Sequence, residues 1–283
     1  MRFNKSIIDI IKERTSRRTY IPKLLDEDLS EKIENLLKLS DYKSPFSEIS
    51  GMCRFRLISI PEFDPNEKKK LGTYGVIKGA QQFIVGTVEK SNYMKEHFGY
   101  LMECIILGAT DIELGTCWLG GFFNRSLFSE KINAMENEIL PAITPIGYSE
   151  KRRIKEITIR KFIRADNRYP WEQLFFEENF STPLSSDIDD EFKTMLEMVR
   201  LGPSASNKQP WRIVKERDKN NFHFYIEKAK GVYQKFQPLD IGIAICHWDL
   251  TSQELEIKGN WEINNPNIPN SEDMQYKITW KQT

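Results

Sequence analysis

The segment Leu201-Gly-Pro-Ser-Ala-Ser-Asn-Lys-Gln-Pro-Trp-Arg212 sets short polar side chains between two prolines. Pro203 and Pro210 each fix a φ angle, and Ser204, Ser206, Asn207 and Gln209 place hydroxyl and amide groups between them, with Ala205 as a small spacer. A rigid turn lined with donors and acceptors suits a planar polar heterocycle, although an ordinary Pro/Ser/Asn loop uses the same ingredients. A second segment, Arg14-Thr-Ser-Arg-Arg-Thr-Tyr20, gathers three guanidinium groups and short hydroxyls. Alone it reads as a basic cluster complementing the dipole of a preceding helix. In a third, Leu114-Gly-Thr-Cys-Trp-Leu-Gly-Gly-Phe-Phe123, Gly120 and Gly121 either let backbone approach a ligand closely or ease a helix exit. No histidine is near Cys117 in sequence, so its thiol reads as a packing group rather than a nucleophile.

The order of residues in the first segment resembles the Pro-Ser-x-x-Asn-x-Gln-Pro-Trp signature of the nitroreductase family, whose members bind FMN. The second resembles the family's Arg-x-Ser-x-Arg-x-Phe/Tyr motif. The resemblance implies that Arg14, Ser16 and Arg18 hold the FMN phosphate, a role suited to guanidinium forks, with Thr15 in the same cofactor-binding segment. It implies that the backbone of Cys117, Trp118, Leu119, Gly120 and Gly121 lies near the flavin's reactive nitrogen and neighbouring carbonyl. Pro203, Ser204, Ala205, Ser206, Asn207 and Gln209 would complete the ring site. A fourth segment, Asn167-Arg-Tyr-Pro-Trp-Glu-Gln-Leu-Phe175, resembles the family's late Arg-x-Pro-x-Glu-Glu stretch and would bring Arg168 to the phosphate. Some relatives carry a basic residue two positions earlier, where this chain has Asp166; Arg164 is the candidate substitute. Residues 75–81 fall where relatives place a turn beside the flavin.

The elements that must position these groups repeat. Apolar periodicity predicts helices over residues 5–14 and 28–39, strands over 55–60 and 82–88, and a buried helix over 99–114. Residues 143–147 read as a turn and 156–160 as a further strand. Beyond Arg164 the order returns: helix 187–200, strands 211–214 and 221–226, and an apolar helix 240–257. Gly99 to Trp118 and Gly242 to Trp261 both span 19 positions (118 − 99 and 261 − 242), with Leu107 matching Leu250 and Glu113 matching Glu256. The reading is an α+β chain of two fused nitroreductase-like halves, 1–164 and 165–283, with mainly antiparallel sheets packed against helices. The first half keeps the phosphate and Gly-Gly segments and the second the Pro-Ser-Asn segment. Ordinary family members are homodimers with two sites, so this chain is expected to be a pseudo-dimer with one FMN between its halves.

Composition narrows the rest. The 283 residues carry 41 basic and 41 acidic side chains, interspersed, which argues against nucleic acid as a partner. The four cysteines are scattered and the three histidines form no ligand spacing, so neither a disulfide framework nor a metal site is expected. No run of about 18 apolar residues suggests a membrane span and the N-terminus lacks a cleavage pattern; the scattered cysteines suit a reducing compartment, so a cytoplasmic location is expected. No Gly-x-Gly-x-x-Gly follows a strand. The resemblance implies hydride transfer from NADH or NADPH through FMN to a small oxidised acceptor such as a nitroaromatic or quinone. No catalytic side chain is expected, because the flavin carries the chemistry. The alternatives are a non-catalytic flavin-binding protein, or dehalogenation or dehydrogenation on the same scaffold. A monomer would suffice for the site, with further oligomerisation open.

Overall fold

The computed structural model describes residues 3–38, 42–73, 75–269 and 272–283. The chain forms two compact units, one of Met1–Lys5 with Glu13–Arg164 and one of Ser6–Lys12 with Ala165–Thr283. The first helix, α1 (Ile7–Glu13), buries Ile7, Ile10 and Ile11, and the segment Ser6–Lys12 belongs to the second unit.

In the first unit, α2 (Glu27–Leu37) starts where Asp26 accepts the Leu29 N–H, and its acidic first turn complements the helix dipole. Its Leu36 lies where a Cβ on Gly108 would sit, 2.8 Å away, so glycine permits that close helix approach. Strands β1 (Cys53–Ser59) and β2 (Gln82–Glu89) pair antiparallel, with the short helix α3 (Pro65–Lys69) between them. The long helix α4 (Met94–Asp111) is buried over most of its surface, as its unbroken apolar run requires. Then follow β3 (Gly115–Thr116), α5 (Arg125–Lys131), β4 (Glu138–Ile139), β5 (Ile143–Gly147) and α6 (Ile154–Phe162). The sheet order is β1-β2-β5-β3, with β4 joining the end of β2. Phe63, Phe83 and Phe123 meet Phe128 edge-on at 5.3–5.9 Å in the apolar cluster on this sheet.

The second unit contains β6 (Phe175–Glu177), α7 (Asp190–Leu201), β7 (Trp211–Lys215), β8 (Asn221–Glu227), α8 (Gln237–Glu254), β9 (Gly259–Glu262) and β10 (Met274–Gln282). Its sheet runs β6-β7-β8-β10-β9; β6 pairs parallel with β7 and the other pairs are antiparallel. Phe222, Trp248 and Trp280 pack together with centroids 4.7–6.1 Å apart.

Setting β4, β6 and the helices α1, α3, α5 and α6 aside, the two units share one topology: helix, strand, strand, long helix, strand, strand, with the last two strands exchanged in the sheet. The bounds of α4 map onto those of α8 with one offset, 237 − 94 = 254 − 111 = 143. The correspondence extends to hydrogen bonds. Glu113 and Glu256 both take left-handed backbone after the helix. Leu114 N–H donates to Ala109 and Ile257 N–H to Ser252, so the same paired bonds close both helix ends. Asp111 accepts the N–H groups of Asn4 and Lys5, whereas Glu254 accepts the Ser6 hydroxyl and the Ile7 N–H.

Two sequence expectations are corrected. Residues 143–147 form β5, not a turn: Pro145 is tolerated because β3 pairs only at residues 146 and 147, and the Thr144 hydroxyl takes the Cys117 N–H beside it. Residues 156–160 lie within helix α6, not a strand. The alternating isoleucines that suggested a strand, Ile157 and Ile159, are not buried: Ile157 is 42% exposed and Ile159 half-buried. Strand β10 had no counterpart in the sequence reading.

Each long helix also anchors a loop, the one that leads into β1 in the first unit and the one that leads into β7 in the second. In the first unit, buried His97 meets the Ser44 hydroxyl at 2.6 Å. At the same helix position, 240 − 97 = 143, buried Asp240 accepts the Ala205 N–H at 3.0 Å. Burial lowers the His97 pKa to about 4 and raises that of Asp240 to about 8. A carboxyl that ionises near 3.8 when unfolded but near 8 when folded favours the native state fully below the lower value. That advantage is lost as pH rises through the upper one. Asp240→Asn keeps an acceptor for Ala205 and cannot ionise. Thermal melts should show it matching the parent near pH 4 and exceeding it by about 4 °C or more near pH 9; an equal loss at every pH would contradict this.

Candidate functional site

In the second unit, the loop after α7 is held from several sides. Ser206, Asn207 and Gln209 all have positive φ (50°, 58° and 45°), conformations costing about 1 kcal/mol or more each outside glycine. Hydrogen bonds hold them there. The Ser204 hydroxyl accepts the Gln209 N–H at 2.8 Å, and the Gln209 side chain bonds the Tyr169 N–H and the Asn207 carbonyl. Asn207 Nδ2 donates to the Asn167 carbonyl at 2.9 Å. Arg168 reaches the carbonyls of Ala165, Asn167 and Leu201, and Asn207 Oδ1 at 3.5 Å. Arg168 therefore braces the Pro-Ser-Asn loop; that is where the structure places it. Arg212, buried and paired with Glu227, ties down the carbonyls of Gln209 and Trp211.

The first unit positions the arginine segment by backbone pairing on two sides. Arg17 N–H donates to the Thr116 carbonyl at 2.8 Å, beside a parallel bridge from Ser16 to Thr116. On the other side, Lys78 N–H donates to the Arg18 carbonyl and Tyr20 N–H to the Lys78 carbonyl, both at 2.9 Å. Residues 75–81 thus run alongside residues 18–20. Gly79 has φ +82°, and a Cβ there would stand 1.9 Å from the Tyr20 carbonyl oxygen, so only glycine fits.

Side chains around this segment are mainly cationic. Arg18 is 9% exposed, and its Nε and Nη1 have no hydrogen-bond partner. Arg14 lies with Nε 3.8 Å from the fully buried Glu103, which also accepts the Trp118 indole N–H at 2.7 Å. Glu103 thereby links the phosphate-type segment to the Gly-Gly segment. Burial lowers the Arg14 pKa, opposed by Glu103 and reinforced by nearby Arg160. Arg17 Nη2 donates to the Glu150 carbonyl. Thr15 Oγ1 accepts from Arg152 at 3.1 Å and Arg160 at 3.2 Å. Thr19 Oγ1 accepts from Arg153 and donates to buried Glu156. Arg14, Arg17, Arg18, Arg152, Arg153 and Arg160 thus face two buried carboxylates, Glu103 and Glu156. Such an excess of buried and half-buried donors matches a dianionic phosphate.

The Gly-Gly segment leaves β3 through Cys117, which is buried in the apolar cluster, and burial raises its thiol pKa. Leu119 pairs with Ile143 through two backbone bonds, and Arg125 holds the Gly120 carbonyl at 3.0 Å. Gly121 is exposed. Sequence reasoning missed Glu103, Arg125, Arg152, Arg153, Glu156 and Arg160. The run Lys151-Arg-Arg153 was the available signal for part of that set. Arg164, the suggested substitute at Asp166, is exposed with φ 49° just past α6.

No curated protein sequence matches the chain. It is similar over 100% of its length to a nitroreductase crystal structure from Thermotoga maritima, covering 95% of that chain, at 21% identity and a TM-score of 0.62. It resembles an FMN-dependent nitroreductase from Clostridium difficile over 52% of its length and 89% of that chain, at 20% identity and a TM-score of 0.41. An iodotyrosine deiodinase bound to FMN and 3-iodo-L-tyrosine matches 52% of the chain and 91% of its own, at 15% identity and a TM-score of 0.41. The full-length likeness establishes a nitroreductase-like α+β fold. The sequence pattern of the family described as "Putative TM nitroreductase" matches residues 6–252, and the chain belongs to that family.

Proposed function

We propose that the protein is an FMN-dependent oxidoreductase that moves hydride from NADH or NADPH to a small oxidised acceptor such as a nitroaromatic or quinone. The observation that carries the reading is Arg18: a guanidinium nine-tenths buried, with two nitrogens lacking hydrogen-bond partners, inside a segment matching the family's phosphate motif. A buried cation without a partner costs several kcal/mol unless an anion joins it, and an FMN phosphate is such an anion. Bound FMN supplies the hydride chemistry. The chain supplies the rest. Arg14, Ser16 and Arg18 hold the phosphate; the backbone of Trp118, Gly120 and Gly121 offers donors to the ring; the Ser204–Asn207 turn offers further polar contacts. No side chain is assigned to acid–base catalysis. On the strength of the motif resemblance, these groups are assigned to one FMN per polypeptide.

Full-length protein purified from cells should be yellow and release one FMN per chain on heating, read by absorbance against protein concentration. Two per chain would contradict the division of motifs, and none would remove the cofactor. Arg18→Ala should weaken FMN binding by roughly one to two decades, the loss of one charge-assisted contact worth about 1.5–3 kcal/mol. Riboflavin, lacking the phosphate, should bind both proteins alike; equal losses for both ligands would refute the assignment. Mixing Arg18→Ala with Asn207→Gly, which preserves the left-handed backbone, tests whether one chain suffices. At FMN concentrations that saturate the parent but not the variants, NADPH-dependent turnover of the mixture should equal the sum of the two variants' own rates while circular dichroism shows both folded; turnover above that sum would mean sites shared between chains.

A further inference from the structure

We propose that Glu103 is a positioning residue of the flavin site, holding the ring-side segment through Trp118 while its charge balances Arg14 on the phosphate side. The inference rests on the flavin reading above.

A carboxylate buried in an apolar helix is unfavourable unless polar partners meet it. Glu103 is 0% exposed, and residues 98–109 of α4 contain no other charged side chain. Its two oxygens serve two segments. Oε2 accepts the Trp118 indole N–H at 2.7 Å, and Oε1 stands 3.8 Å from Arg14 Nε. The second distance is an ion pair, not a hydrogen bond, and Arg14 Nε has no hydrogen-bond partner.

The indole bond completes the fixing of one residue. Before Trp118, the Cys117 N–H donates to Thr144 Oγ1; after it, Leu119 exchanges two backbone bonds with Ile143. Strand β5 thus holds the backbone on both flanks, and Glu103 holds the half-buried indole between them. The second unit gives an internal comparison. Trp261 stands at the matching position, 261 − 118 = 143, and its indole N–H also meets an acid of the preceding long helix, Asp249, at 3.0 Å. The position of Glu103 there belongs to Cys246, since 246 − 103 = 143. The first unit's acid therefore stands about one turn earlier along the helix, where it reaches Arg14 as well as the indole.

A neutral acceptor would serve the indole alone; the charge acts on Arg14. Burial lowers the Arg14 pKa, Glu103 raises it and Arg160 lowers it further. The carboxylate thus stabilises the buried guanidinium without occupying its Nε donor. The same charge repels a phosphate arriving among these arginines. Glu103 consequently has two separable effects of opposite sign, one favouring the ring side and one opposing the phosphate.

Equilibrium dialysis of the full-length protein against FMN and against riboflavin separates them, because riboflavin reads the ring side alone. Glu103→Gln keeps a carbonyl for the indole and removes the charge. It should leave riboflavin affinity at the parent value and tighten FMN binding about fivefold. Trp118→Phe should weaken both flavins about fivefold. Glu103→Met removes the acceptor at similar volume; its riboflavin loss should equal that of Trp118→Phe, and the double variant should lose no more. If Glu103→Gln weakens FMN, or leaves the preference for FMN unchanged, the charge does not face the phosphate and the proposal fails. It also fails if the riboflavin losses of Glu103→Met and Trp118→Phe add, or if Trp118→Phe binds both flavins like the parent. Should Glu103→Met not fold, the Gln and Phe variants decide alone. A parent that binds neither flavin overturns the flavin reading itself, whereas a parent that binds FMN with indifferent variants overturns this proposal alone.

Discussion

Buried positive charge governs the first unit. Arg18 sits nine-tenths out of water with two nitrogens unmatched, and the residues around it add further guanidinium groups rather than enough carboxylates to cancel them. Nothing in apolar packing favours that arrangement. The backbone pairing of residues 16–20 with β3 on one side and residues 75–81 on the other holds the segment rigidly. Gly79, where any Cβ would strike the Tyr20 carbonyl, keeps the second side close. Rigid placement of donors before a ligand arrives lowers the ordering cost of binding.

The second unit solves a different problem with the same scaffold. Its loop holds three non-glycine residues in left-handed backbone, fixed by hydrogen bonds from Ser204, Gln209, Asn207 and Arg168. The long helices α4 and α8 serve as matching platforms: same length, same closing bonds, and an anchoring side chain at the same position, His97 in one and Asp240 in the other. Where one copy holds its loop with an imidazole, the other uses a carboxyl that burial keeps protonated at neutral pH. The two units thus differ in the chemistry of this anchor while their sheets follow matching strand orders.

Much of this was legible in the sequence, for identifiable reasons. The apolar runs that become α4 and α8, and the β-branched runs of β1, β2, β7 and β8, are long or regular enough for periodicity to define them. The Pro-Ser-Asn loop announced itself through φ-restricting prolines and short polar groups. Residues 156–160 misled because three apolar or β-branched residues in a short run fit a strand as well as a helix. Only the buried Glu156 and its contacts with Thr19 and Arg152 decide between them. Arg152 and Arg160 were illegible for the same reason: their role depends on a hydroxyl some 140 positions away. Glu103, inside an apolar helix, joins Arg14 and Trp118 only once the fold brings the three together.

The central claim is that the buried guanidinium groups exist to hold a phosphate dianion. Phosphorus NMR of FMN bound to the full-length protein tests it most directly, because a phosphate monoester in water takes up its second proton near pH 6. Arginines on its oxygens favour the dianion and depress that pKa. The bound resonance should therefore hold the dianion position from about pH 8 down to about pH 5, while free FMN in the same sample shifts. A bound signal that titrates near pH 6 like the free one would show the phosphate in water, away from these arginines, and would contradict the account.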